Sequence, residues 1–219
     1  MWWIFGPACY ILSLVYFAVG HEDAFKVWTE HAHWCLNLKF VALEGSAPIN
    51  KKEQILILAN HRSTMDTLNS DPCTEYSCMY LSRWAVAVAI PACYITSIFT
   101  NAVWFFKRGG RGNDLEPFFK WLDAKFASPL NCRPNLCVYP EGHRSHEVTP
   151  LPLKGGMIRY AFERKKKVQI YVGKNFDKCV NELKFTLDLS GHTVYYKVLP
   201  ELDPTDFGSF EEFFKTVEK

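Results

Sequence analysis

The sequence predicts an α/β fold: a mixed, mainly parallel sheet flanked by helices, with an N-terminal membrane-associated helical segment. Three observations predict it. Short branched and aromatic runs, such as residues 55–59 and 168–172, read as strands covered on both faces. These runs alternate with stretches of helical pattern, as strands joined by crossover helices do. The apolar excess is concentrated at the start, where residues 2–20 carry no charged side chain.

The N-terminal run comes first. As a helix it would be roughly 28 Å long, close to the ~30 Å hydrocarbon core of a bilayer. Trp2, Trp3, Trp28 and Trp34 suit aromatic belts at the two interfaces. A cleaved signal peptide would need a basic n-region, and no Lys or Arg precedes Lys26. All 25 basic residues follow the run, so the positive-inside rule puts the main domain on the cytoplasmic side. Residues 22–38 continue as an amphipathic helix with Phe25, Trp28, Ala32, Cys35 and Leu36 on one face. We therefore divide the chain into an anchor and amphipathic helix over 1–38 and an α/β domain over 39–219.

Within the domain, candidate strands are 40–43, 55–59, 77–81, 102–106, 136–139, 168–172, 185–189 and 194–199. Candidate helices are 65–69, 114–126, 155–164 and 209–217. The uncharged run 84–106 has membrane length, but it carries Pro91, Thr96, Ser97, Thr100 and Asn101 and ends like a strand. It reads as a broken helix, buried or lying in the membrane surface, that feeds a strand.

Composition narrows the function. The 219 residues carry 25 Lys+Arg against 23 Asp+Glu, a net charge of +2 that excludes the basic face of a nucleic-acid binder. A mean hydropathy of −0.09 is too polar for a bundle of membrane helices. The 8 cysteines include no C-x-x-C pair and read as packed cytosolic thiols.

Strand 55–59 runs straight into Asn60-His61-Arg62-Ser63-Thr64-Met65-Asp66. On one ideal helix His61 and Asp66 would sit about 140° apart. They can pair only if His61 lies in a loop and Asp66 in the first turn of a helix, with Ser63 or Thr64 as the N-cap. Asp66 would then orient the imidazole and leave its other nitrogen as a base toward a substrate alcohol. Strand 136–139 ends in Pro140-Glu141-Gly142-His143-Arg144-Ser145, where α/β sheets bind ligands. Gly142 permits close backbone approach and Arg144 offers a fork suited to phosphate. Lys107, Arg108 and Arg111 follow the 84–106 run. The His143–His146 pair, with Glu147 beside it, has no further ligand at helical spacing to support a metal, so no metal site and no cofactor is expected.

The ordered set N-H-R-S-T-M-D, F-F-K-R, Y-P-E-G-H-R-S and L-P-L-K-G-G resembles the glycerolipid acyltransferase family, of the 1-acylglycerol-3-phosphate and lysophospholipid acyltransferase type. The resemblance covers roughly residues 55–172. It implies His61 as general base and Asp66 as its orienting partner, with direct attack on acyl-CoA, the co-substrate. It implies acceptor binding by Arg108, with Lys107 beside it, and by Glu141, Gly142, Arg144 and Ser145. Lys154 and Gly155 match the start of the family's following helix. The implied partners are acyl-CoA, lysophosphatidate or a related lysophospholipid, and a membrane, with no nucleic acid. The implied location is the endoplasmic reticulum, catalytic domain toward the cytoplasm. Two features depart from the pattern: His143 stands where the family carries Thr, and 168–172 lacks the family's proline. Two rival readings are a CoA-independent phospholipid transacylase and a non-catalytic protein that binds anionic lipid. If 84–106 spanned a bilayer, His61 and Glu141 would face opposite compartments, so a shared site requires that it does not.

Overall fold

A four-residue run without polar alternation is stable as a strand only when both of its faces are covered. The computed structural model of the chain describes residues 24–89, 94, 97–98, 100–107, 114–145, 149–181 and 186–219. In it, strands β2 (Leu56–Ala59) and β5 (Asn135–Val138) are buried at every position. They are neighbours at the centre of a seven-stranded sheet. The other members are β1 (Leu38–Ala42), β3 (Cys78–Arg83), β4 (Val103–Phe106), β6 (Val168–Lys174) and β9 (His192–Val198), in the order β1-β9-β6-β2-β5-β3-β4.

Strands β6, β2, β5, β3 and β4 are mutually parallel, so their carboxyl ends share one sheet edge. The remaining two reverse the direction: β9 is antiparallel to β6 and parallel to β1. The sheet is therefore mixed and mainly parallel, as the sequence predicts. Candidate strand 185–189 contributes only β8 (Thr186–Leu187), which pairs with β7 (Val180–Asn181) in a ribbon outside the main sheet.

Alternation along β2 separates two cores. Ile57 and Ala59 face a cluster with Phe25, Ala32, Leu68 and Cys73, under helices α1 (Ala24–Cys35) and α2 (Asp66–Cys73). Leu56 and Leu58 face the opposite cluster, with Phe119, Leu122, Ile158, Ala161 and Phe213. That layer consists of α4 (Glu116–Phe126), α5 (Gly155–Glu163) and α7 (Phe210–Glu218). Short helices α3 (Trp84–Ala89) and α6 (Phe176–Cys179) follow β3 and β6. Each fully buried Leu or Ile contributes roughly 1.5–3 kcal/mol, so the strands at the centre of both layers are the most firmly held.

Helix α2 extends to Cys73 through Pro72, four residues beyond the sequence expectation. Its carboxyl end is fixed by a buried ion pair. The Arg133 guanidinium forks onto Asp71, with Nη2–Oδ2 at 3.1 Å, and also donates to Cys78 O at 2.8 Å. Tyr80 donates to the same carboxylate at 3.0 Å. A buried pair satisfied this fully holds the helix in register with β3.

The described ends of the 84–106 run are helix α3 and strand β4. Because β3 and β4 are parallel neighbours, this connection starts at one edge of the sheet and returns to the other. The apolar N-terminal run lies outside the described residues. Among the described residues no helix is long and apolar enough to cross a membrane.

Candidate active site

The site begins where β2 leaves the sheet. The Asn60 side-chain amide donates to Gly173 O at 2.9 Å and accepts from Gly173 N–H at 2.8 Å, tying the chain just past Ala59 to β6. His61 follows in a non-helical loop, and Asp66 is the first residue of α2. With the loop held at both ends, His61 Nδ1 lies 2.7 Å from Asp66 Oδ2. The same oxygen accepts the backbone N–H groups of Arg62 at 2.5 Å and Ser63 at 2.9 Å. An acceptor-only carboxylate fixes the tautomer: Nδ1 carries the proton and Nε2 is the basic nitrogen.

The helix start differs from the sequence expectation. Met65, not Ser63 or Thr64, occupies the N-cap position, and no side chain caps it. Ser63 Oγ instead accepts from Met65 N–H at 3.2 Å, while the Asp66 carboxylate folds back over the amides of the preceding turn. Asp66 is fully buried. Burial pushes its carboxyl above the ordinary range, opposed by the hydrogen bonds from His61, Ser63 and Arg62. Such a group gains most when a positive charge forms beside it, as it does when His61 takes a proton on Nε2.

The turn after β5 closes the other side. Tyr139 stacks on the His61 imidazole, centroids 4.4 Å apart and planes at 19°. Glu141 is buried and holds two backbone amides: His61 N–H at 2.8 Å and Leu151 N–H at 3.0 Å. Ser145 N–H donates to His61 O at 2.8 Å, and its hydroxyl donates to Thr149 O at 2.9 Å. Gly142 has φ +69°, and a Cβ there would lie 2.6 Å from Lys154 Nζ. Lys154 N–H donates to Pro140 O at 2.8 Å, tying the start of α5 to this turn. Residues from both motif blocks thus meet within hydrogen-bond distance at one sheet edge.

An acyltransferase family model matches residues 40–172. The chain belongs to the acyltransferase family. Membership makes it an O-acyltransferase. A Caenorhabditis elegans protein named as a 1-acyl-sn-glycerol-3-phosphate acyltransferase, acl-1, is 23% identical over 195 residues, covering 88% of this chain and 70% of its own. The solved 1-acyl-sn-glycerophosphate (LPA) acyltransferase PlsC of Thermotoga maritima shares the fold, with a TM-score of 0.69 and 21% identity. That match covers 99% of this chain and 91% of the other.

In this acyltransferase the sequence-predicted residues fall into three groups. His61, Asp66, Glu141, Gly142 and Ser145 are brought together. Arg144 continues the same turn and is exposed, and Lys107 is exposed just past β4, three strands or about 14 Å from β2 along the same edge. Arg108 lies outside the described residues, as do Arg111, His146 and Glu147.

Sequence reasoning missed two residues of the site. Arg83, the last residue of β3, reaches Gly142 O with Nη2 at 3.4 Å and brings a guanidinium to the site edge. Its only sequence signal is a basic residue closing a strand before a long uncharged run. Tyr139 opens the Y-P-E-G-H-R-S block but carries no assigned role there, and nothing in sequence spacing announces a ring stacked on His61.

Proposed function

We propose that the chain transfers a fatty acyl group from acyl-CoA to the free hydroxyl of lysophosphatidate or a related lysophospholipid, yielding phosphatidate or its counterpart. The observation that carries this reading is the His61 Nδ1–Asp66 Oδ2 bond at the carboxyl edge of the sheet. It leaves Nε2 to receive a proton, and no serine or cysteine nucleophile stands in the pair. Both named relatives are acyltransferases acting on this acceptor class.

In this mechanism the acceptor hydroxyl gives its proton to His61 Nε2 as its oxygen attacks the thioester carbonyl. The C–O bond forms and a tetrahedral oxyanion results. Its collapse breaks the C–S bond, and the departing CoA thiolate takes the proton back from the imidazolium. Asp66 stays ionised throughout and offsets the imidazolium charge. Arg83, Lys107 and Arg144 supply positive charge for the acceptor phosphate along the sheet edge, and Arg108, next to Lys107 in sequence, adds to it. We further propose that the apolar run 2–20 keeps the edge at a membrane, the cytoplasmic face of the endoplasmic reticulum.

Purified enzyme given acyl-CoA and lysophosphatidate should release CoA and form diacylated product. His61→Ala should abolish turnover. Asp66→Asn should lower kcat by about 10³–10⁴-fold, as loss of the carboxylate does in His–Asp pairs of this geometry. Absence of acyl transfer with every lysophospholipid or glycerol phosphate acceptor would overturn the reading.

A further inference from the structure

We propose that Tyr139 is a positioning residue for the His61 base: its ring fixes the plane of the imidazole while its hydroxyl ties that ring to the helix that carries Asp66. The proposal rests on the reading of His61 as the base.

The geometry forms a closed frame. The Tyr139 and His61 rings lie 4.4 Å apart at 19°, so one face of the imidazole is covered. The Tyr139 hydroxyl shares a hydrogen bond with Ser70 Oγ at 3.3 Å. Ser70 is one helical turn beyond Asp66, on the same side of α2. Asp66 holds the Nδ1 edge of the imidazole and Ser70 holds the phenol that covers its face, both from one helix. The far end of that helix is pinned by Asp71 and Arg133. Two constraints, an edge bond and a face contact, leave His61 little freedom to turn about its Cβ–Cγ bond. Nε2 then keeps one direction.

The stack also has a chemical consequence. An aromatic face attracts a cation, and His61 becomes a cation when it takes the acceptor proton. Burial holds the Tyr139 phenol well above its ordinary range, so it stays neutral. Among the described residues, the charged groups near His61 include Arg62 beside it in the loop and Arg144 next to Ser145, whose N–H donates to His61 O. Asp66 sits at Nδ1, from α2, and Glu141 lies on the His61 backbone amide. The Lys154 ammonium lies against Gly142 from the start of α5, and the Arg83 guanidinium lies 3.4 Å from Gly142 O, from β3. None of these replaces the stacked ring if it is removed.

The test is a titration of His61 in the full-length chain in detergent micelles, read by ¹⁵N-imidazole NMR and assigned with His61→Gln. Wild type is compared with Tyr139→Leu, Tyr139→Met and Tyr139→Phe. Both non-aromatic variants should lower the His61 midpoint by about half a pH unit, and Tyr139→Phe should hold it near wild type. In acyl-transfer assays the acid limb of kcat/KM should move with the midpoint. The kcat of the non-aromatic variants should fall about tenfold, with the acceptor KM nearly unchanged, and Phe should recover most of it. A His61 midpoint unmoved or raised in a folded Leu or Met variant would overturn the proposal. Because the titration needs no substrate, it reads the stack even if the acyl-transfer reading fails.

Discussion

Glu141 separates a structural clamp from a substrate ligand, and Glu141→Gln is the perturbation that decides. In the structure its two carboxylate oxygens each accept a backbone N–H, from His61 at 2.8 Å and from Leu151 at 3.0 Å. The side chain is buried, so water cannot take over either bond. Glutamine keeps the shape but has one oxygen and one NH₂, so one of the two amides must face a donor. The loss is one charge-assisted hydrogen bond plus a buried unsatisfied N–H, together about 2–4 kcal/mol. For a chain of this length that corresponds to a fall in Tm of roughly 4–16 °C. Urea unfolding followed by fluorescence, alongside steady-state acyl transfer, measures both consequences. The clamp predicts a lower unfolding midpoint and a lower kcat, with the acceptor KM moved less than kcat. An unchanged unfolding midpoint with a raised acceptor KM would refute the clamp and return Glu141 to the substrate-binding role that the sequence resemblance implies.

Three further perturbations test other parts of the site and its support. Burial pushes the His33 imidazole from the ordinary 6.5 to about 4, outweighing contacts with the Asn69 side chain and the Leu68 backbone that raise it. The unfolded chain then binds the proton first, so this contribution is complete above about pH 6.5 and falls by roughly 2 kcal/mol by about pH 5. Urea midpoints should show that loss in wild type and a smaller one in His33→Gln. Gly142→Ala places a Cβ 2.6 Å from Lys154 Nζ at a φ of +69°. It should cost about 1–2 kcal/mol in unfolding free energy and displace the lysine, read as a lower Tm. Arg83→Ala should raise the KM for lysophosphatidate about tenfold and leave the KM for an uncharged monoacylglycerol nearly unchanged, measured in parallel acyl-transfer assays.

The parts of this fold that sequence displays are those where one physical rule acts within a short window. Residues 55–59 and 136–139 are apolar because both faces of their strands are covered, and they fall within one residue of β2 and β5. The His61–Asp66 pairing follows from local geometry, since five residues on a helix cannot meet and a loop before a helix can. The helix start is less legible: serine and threonine favour N-caps, but here the Arg62 and Ser63 amides ahead of α2 are drawn to the Asp66 carboxylate, and Met65 takes the cap position. Pro72 reads as a stop, yet α2 continues because its end is held from outside by Arg133, 62 residues away.

Long-range polar pairing is the common cause of what sequence hid. Arg133 sits between Cys132 and Pro134 in a stretch that reads as a solvated loop, and it is buried because Asp71 is there to receive it. Arg83 looks like the end of a strand until the turn after β5 places Gly142 O beside it. Glu141 reads as an acceptor-binding acid in a motif until two amides from opposite sides of the site converge on it. Each of these residues has a partner on a different strand or loop, and only the sheet order β6-β2-β5-β3 makes them neighbours. The same order explains why the motif blocks matter as an ordered set. Blocks one and three end adjacent parallel strands, so any fold that keeps β2 beside β5 must bring His61 and Glu141 to one edge. A chain with the same motifs in another topology would separate them, and the individual residues would then have no chemistry to share.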